Sequence, residues 1–230
     1  MACRLQLEIW NVQLYGATAA SATPAQDVVF LKFLRAREFV VDEAAAMLQA
    51  TLKWRKEFDI RGLKTETFPK EYDSFGFLYK TDVDGAHCFV VLLLCCRDAG
   101  CDAAHANAHI ATSSTLLIRI PPGHPMSYNF YGRVKADEVF AAPGSVEQFV
   151  RWRVQLMERA IDLLDLGNGV DTISQVHDYK DVSFFTGSGV RQSSRTIITL
   201  FQDNYPEFLE RKRAYCQGRC RGKWKETWES

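Results

Sequence analysis

The order of its segments constrains this chain more than its composition does. Two amphipathic helical stretches come first, then short aromatic strand-like stretches, then a helix, a strand and a further helix. Helices alternating with strands, behind an all-helical start, predict an α/β fold. Its expected form is an N-terminal helical subdomain followed by a mixed or parallel sheet flanked by helices.

Local signals fix the expected boundaries. Thr23-Pro24-Ala25-Gln26 supplies a capping hydroxyl, a proline at the first helical position and a glutamine at the third, which together mark a helix start. Val29, Phe30, Phe33 and Leu34 recur at helical spacing behind it, with Lys32, Arg35 and Arg37 expected on the other side. A second helix is expected from about Asp42 to Phe58. Ala45, Leu48, Leu52 and Phe58 would point inward, with Trp54, Lys53, Arg55, Lys56 and Glu57 flanking the stripe. Phe75 to Tyr79 reads as a strand and Asp82-Val83-Asp84-Gly85 as a turn. Residues 90–126 follow no regular period, and the strand pattern resumes at Tyr128 to Gly132. Ser145-Val146-Glu147-Gln148 is a second capping box, predicting a helix to about Leu166 that Gly167-Asn168-Gly169 stops. A strand from Asp171 to about Tyr179 and a helix from about Ser193 to Asn204 complete the pattern.

Bulk properties narrow the function classes. The 230 residues carry a formal net charge of zero, which gives no electrostatic support for a nucleic-acid partner. The longest apolar run, Cys88 to Cys96, covers about half of the roughly 20 residues that a bilayer span needs, and Arg97 breaks it. The first residues lack the basic start and apolar core of a secretory signal. Seven cysteines without framework spacing read as reduced thiols of a cytosolic protein.

Other constellations are weak. His105, His109 and His124 with Cys95, Cys96 and Cys101 contain no Cys-x-x-Cys pair. Asp82-Val83-Asp84-Gly85 starts like a calcium loop but lacks its acidic twelfth position. Gly187-Ser188-Gly189 lacks the lysine of a phosphate loop. His177 and Asp178 fall on opposite strand faces and form no dyad, so hydrolase chemistry is disfavoured and the chain is expected not to be an enzyme. His177 and Tyr179 do share a face, with Ile173 and Gln175, which in most strands means ordinary core or surface hydrogen bonding.

Three blocks carry a resemblance to a known family. They are Phe33-Leu34-Arg35-Ala36-Arg37 through Trp54-Arg55; Tyr128-Asn129-Phe130-Tyr131-Gly132 with Phe149-Val150-Arg151-Trp152-Arg153 through Met157-Glu158; and Gln175-Val176-His177-Asp178-Tyr179 through Asn204-Tyr205-Pro206-Glu207. In order and spacing they resemble the CRAL-TRIO lipid-transfer family. The His-x-Tyr form of the strand is similar to its fungal, haem-binding phosphatidylinositol-transfer branch, the Sec fourteen homologue five type. The resemblance implies a CRAL-TRIO fold and a cytoplasmic protein attached peripherally to endoplasmic reticulum membranes. It implies phosphatidylinositol and a membrane surface as partners, and ferric haem b as cofactor.

Carried over by motif, the resemblance assigns Tyr131, Arg153, His177, Tyr179 and Lys212 to the haem pocket. Tyr179 would be the iron ligand, since tyrosine is a known proximal ligand, and His177 an alternative or supporting one. Arg153 and Lys212 would be cations for the phenolate or the propionates, and Tyr131 a wall. A haem-dependent redox enzyme or sensor, or a truncated product without function, is the rival reading.

The resemblance also implies departures. Residues 90–126 have no counterpart in the family's pattern and read as a non-native insertion, as a retained intron would leave. After Glu207 the family continues with a strand, a lipid-gating helix and more core, whereas Arg211 to Lys225 is basic and polar. The expected division is a helical subdomain over 1–60, a partial lipid-binding domain over 61–212 and a disordered basic tail over 213–230.

Overall fold

The computed structural model describes residues 13–15, 17–18, 23–80, 89–92, 116–119, 123–178, 182 and 187–215. Two short strands, β1 (Gln13–Leu14) and β2 (Ala17–Thr18), precede the helices α1 (Pro24–Arg35), α2 (Val41–Glu57) and α3 (Ile60–Leu63). Strand β3 (Gly76–Lys80) follows, and β4 (Phe89–Leu92) pairs antiparallel with β5 (Leu116–Arg119) in a sheet of their own. The remaining elements are β6 (Pro125–Phe130), α4 (Ala136–Val139), α5 (Ser145–Ile161), β7 (Ile173–Asp178), α6 (Ser188–Asn204) and β8 (Leu209–Tyr215).

The main sheet has the order β3-β6-β7-β8. β3 runs antiparallel to β6, while β6, β7 and β8 are mutually parallel. Parallel neighbours need long crossovers, and α5 and α6 are those crossovers. This is the α/β arrangement expected from the sequence, with the sheet mixed.

The Thr23 cap is present. Its hydroxyl accepts from the Gln26 amide at 3.3 Å, with Pro24 at the first helical position. On α2, Ala44, Met47, Leu48, Thr51, Leu52 and Arg55 are buried, spaced three or four apart. One hydrophobic cluster runs from Tyr15 through Val29, Phe33, Leu48 and Leu52 to Val154, Met157, Ile173 and Phe208, so the N-terminal helices and the sheet share a core. A second cluster joins Tyr72, Phe75, Phe149, Trp152 and Leu156.

Several boundaries differ from the sequence reading, each for a local reason. Ser145 is not the cap of α5. Gly144 takes that place at φ +81°, a left-handed conformation that a glycine tolerates, and Ser145 is the first helical residue. α5 ends at Ile161 rather than near Leu166, and Gly169 at φ +83° instead closes a short 3₁₀ turn over Leu166–Asn168. β6 begins at Pro125 and ends at Phe130, so Pro125 and Met126, read as part of an insertion, lie in a strand, and Tyr131-Gly132 lie in a 3₁₀ turn. α6 starts at Ser188, five positions before Ser193. Arg213–Tyr215, read as the start of a tail, lie in β8.

Two charges read as solvent-facing are core residues. Lys32 is 1% exposed; its ammonium donates to Asp171 Oδ2 at 3.1 Å and to the Glu207 carbonyl at 3.0 Å, and lies 5.0 Å from the Phe208 ring centre. Burial pushes its pKa below the usual lysine value, with Asp171 opposing that shift. Arg55 donates twice to Glu158, at 2.6 and 2.9 Å, and its guanidinium lies 4.6 Å from the Tyr15 ring. The Tyr205 hydroxyl donates to the same Glu158 Oε1 at 2.7 Å, and the Tyr15 hydroxyl donates to the Asn204 carbonyl. The residues Trp54-Arg55, Met157-Glu158 and Tyr205-Pro206 thus converge on one buried ion pair.

Candidate functional site

Parity along the strands decides what each sheet face carries. Asn129 is in register with Gly76 and His177, and Ser127 with Leu78, Gln175 and, through Gln175, Lys212. This row faces α5. A Cβ on Gly76 would approach Leu156, and the Arg153 guanidinium donates to Asn129 Oδ1. The opposite face carries Phe77, Met126, Tyr128, Phe130, Val176 and Asp178. There Phe77 stacks on Tyr128 at 5.4 Å, Tyr128 lies 4.4 Å from Phe130, and the Tyr128 hydroxyl donates to Asp178 Oδ2 at 3.4 Å.

Because β6 and β7 are parallel, their carboxyl ends Phe130 and Asp178 finish side by side. The carboxyl end of parallel strands is where α/β sheets place ligands, because the chain splays there between strand and crossover. His177 sits at this end, half-buried, with its ring 5.3 Å from that of Tyr131 in the turn after β6. The His177 Nε2 lies 3.1 Å from Gln175 Oε1, a hydrogen bond that orients the ring. Asn129, beside His177 in the sheet, accepts from Arg153 and donates from Nδ2 to the Val176 carbonyl at 3.4 Å. Arg153 also lies 5.5 Å from the Trp152 ring, in a buried setting.

Three of the five residues assigned by motif, Tyr131, Arg153 and His177, therefore gather at one end of one sheet face. Lys212 is placed by its backbone across from Gln175, two strand positions from the His177 row. Tyr179 lies outside the described residues. So do all seven cysteines, the 82–85 turn, the segment ahead of Gln13 and residues 216–230. Ile173, Gln175 and His177 do share a face. Gln175 and Asn129 on it are buried, so this row is packed against α5 rather than left open. Asn129 was not singled out from sequence; its parity with His177 becomes visible only once the register is known. Arg133, beyond Tyr131, stacks 3.7 Å from the Phe130 ring centre and donates to the Ser74 carbonyl. Among the described residues, no three His, Cys, Asp or Glu side chains gather as a metal site, and no helix is long and apolar enough to cross a membrane.

A helix-backed mixed sheet with parallel central strands and a polar carboxyl end, locked to an N-terminal helical pair, defines a class. The CRAL/TRIO domain profile matches residues 120–215 and the CRAL/TRIO, N-terminal domain profile matches residues 8–50. The chain belongs to the CRAL/TRIO family and has its α/β fold. It is 32% identical over 209 residues to "Patellin-3" of Arabidopsis thaliana, covering 89% of this chain and 34% of that protein. It is 32% identical over 221 residues to "Phosphatidylinositol transfer protein SFH5" of Cryptococcus neoformans, covering 89% of this chain and 63% of that one. Among solved structures it is similar to the crystal structure of Sfh5, with a TM-score of 0.68 at 25% identity, covering 93% of this chain and 65% of that one. The chain thus spans from about a third to just under two thirds of the length of these relatives.

Proposed function

We propose that this protein is a phosphatidylinositol carrier that works peripherally at membranes, with residues 61–212 as its lipid-binding part and 1–60 as its helical support. The observation that carries the reading is the overlap of family membership with the geometry of one sheet end, where Tyr131, His177 and Arg153 converge. The relatives named for a function are phosphatidylinositol transfer proteins. Transfer needs no bond to break. It needs a site that shields acyl chains in water, where each exposed methylene costs about 0.8 kcal/mol, and releases them at a bilayer. The same reading places the protein on the cytoplasmic face of the endoplasmic reticulum.

Haem is the second ligand in this reading. The described residues suit it in donor chemistry: an imidazole held by Gln175, an aromatic ring beside it, and a buried guanidinium of the charge that propionates require. Tyr179 would supply the phenolate for ferric iron, with His177 as the alternative donor, and Lys212 a further cation. A bound haem would supply an electron-accepting iron. The chain's own part is to orient His177 through Gln175 and hold Arg153 through Asn129.

Two measurements test the proposal. Purified protein should move labelled phosphatidylinositol between donor and acceptor vesicles above the spontaneous rate. Ferric haemin added to the protein should give a Soret band that Tyr179→Phe shifts or abolishes. No transfer sinks the carrier reading, and an unchanged band in the Tyr179→Phe protein sinks the ligand assignment.

A further inference from the structure

The turn that joins α1 to α2 breaks three local rules at once. Glu38 and Phe39 are both left-handed, at φ +51° and +63°, a conformation that glycine and asparagine bear far better than phenylalanine. Val40 stands at the N-cap of α2 with no side-chain hydrogen bond, where serine or aspartate would supply one. Phe39, Val40 and Val41 are 60%, 46% and 62% exposed. Among the described residues five large apolar side chains are exposed; Phe77 and Ile198 stand singly, and the other three are these consecutive ones. Single exposed apolar residues are ordinary, whereas a contiguous cluster marks a contact surface.

The fold makes no use of this cluster. A residue ahead of an N-cap often folds back on the fourth helical residue, here Ala44. Ala44 is buried while Phe39 is not, and none of the three belongs to either hydrophobic cluster. The backbone is nonetheless fixed: the Phe39 amide donates to the Leu34 carbonyl at 2.7 Å, the Val40 amide to Arg37 at 2.8 Å and the Ala44 amide to Val40 at 3.0 Å. An apex held in this way presents its side chains without an ordering cost on contact. Size and charge then choose the occupant. A stable pair of copies buries roughly 800 Å² on each partner, well beyond what three such side chains supply. The exposed rim carries both signs, with Arg35, Arg37 and Glu38 before the triplet and Asp42 and Glu43 after it. Two cations against three anions give no net pull toward an anionic plane, but they match a layer that itself carries phosphate and choline groups.

We propose that Phe39-Val40-Val41 is an apolar wedge that inserts at the headgroup boundary of a zwitterionic bilayer, held there by apolar burial rather than by net charge. This rests on the carrier reading and adds to it the inserting residues and the charge class of the lipid.

The test is flotation of the full chain with phosphatidylcholine vesicles, either small and strongly curved or large, at low and high salt. Expected is binding that is stronger on the small vesicles, whose packing gaps admit apolar side chains, and that survives high salt. Phe39→Asn/Val40→Ser should weaken it about tenfold, from the lower end of what burying one large apolar side chain is worth. The same variant should melt at or above the wild-type temperature, because asparagine suits the left-handed site and serine caps α2, so lost binding is not lost fold. Phe39→Trp should bind at least as well as the wild type, since tryptophan favours the interface. Absence of wild-type binding, unchanged binding in Phe39→Asn/Val40→Ser, or binding abolished by salt overturns the proposal. A wild-type dimer that this variant turns into a monomer in sedimentation also overturns it, in favour of a second copy. Transfer of labelled phosphatidylinositol on the same vesicles separates the two readings. Binding that depends on the wedge without any transfer removes the carrier reading alone, and transfer with binding unchanged in the variant removes only this one.

Discussion

Replacing Glu158 with glutamine keeps the side chain's shape and removes its charge, and so isolates what the Arg55–Glu158 pair does. Both side chains are nearly inaccessible, 8% and 2% exposed, and both guanidinium contacts are short. In Glu158→Gln the Arg55 cation stays buried against the Tyr15 ring and an amide, with no compensating anion. Breaking one side of a buried pair costs about 3–5 kcal/mol, chiefly through the stranded charge. Arg55→Met strands the carboxylate instead, leaving it the Tyr205 hydroxyl, and should cost a similar amount. The double variant removes both charges and should cost less than either single change, since apolar replacement of a buried pair is often neutral. Against a total stability of about 5–15 kcal/mol, either single change takes a large share. Urea unfolding followed by circular dichroism gives all four free energies and their coupling. If each single change costs under about 1 kcal/mol, or if the two simply add, the pair is not the buried lock described here.

Alkaline conditions probe the same cluster. Burial, reinforced by the charge of Glu158, holds the Tyr205 phenol well above its usual pKa; burial does the same for Tyr15 although Arg55 opposes it. The unfolded chain loses these protons near pH 10 and the folded chain keeps them, so stability is full below pH 10 and falls above it. The slope is about 1.4 kcal/mol per pH unit for each phenol. Thermal unfolding from pH 9 to 11 should show this, with a shallower slope in Tyr205→Phe; equal slopes would remove Tyr205 from the account. Val40 caps α2 without a side-chain hydrogen bond, so Val40→Asp should add about 1 kcal/mol and raise Tm by about 2–4 °C; no rise in a melting scan counts against it. A Cβ at Gly76 would lie 2.7 Å from the Tyr128 carbonyl oxygen, a backbone atom that cannot swing away. Gly76→Ala should cost about 1–3 kcal/mol by urea midpoint, and a neutral result would show that β3 shifts freely.

Helix periodicity and strand parity made the α/β order, the Thr23 cap and the shared face of Ile173, Gln175 and His177 readable in advance. They failed where a distant partner decides. Arg55 sits within a run of charged residues, and nothing nearby announces that Glu158 lies across from it. Lys32 reads as a solvated lysine until Asp171 and the Glu207 carbonyl reach it from the other end of the chain. Pro125 hides the start of β6, because proline rarely enters a strand interior. β8 was missed because Arg, Lys and Arg break the apolar run that a parallel strand normally shows. At the site, motif placed Tyr131, Arg153 and His177 together, whereas Asn129 as the acceptor for Arg153 required the register.

The Arg55–Glu158–Tyr205 junction also bears on how the chain is made. During synthesis Arg55 leaves the ribosome long before Glu158, and Glu158 well before Tyr205. Until Glu158 emerges, Arg55 in the helical pair at the start has no counter-charge to close on. Closing the first half on this pair therefore waits for the second, a contact of long sequence separation of the kind that slows folding.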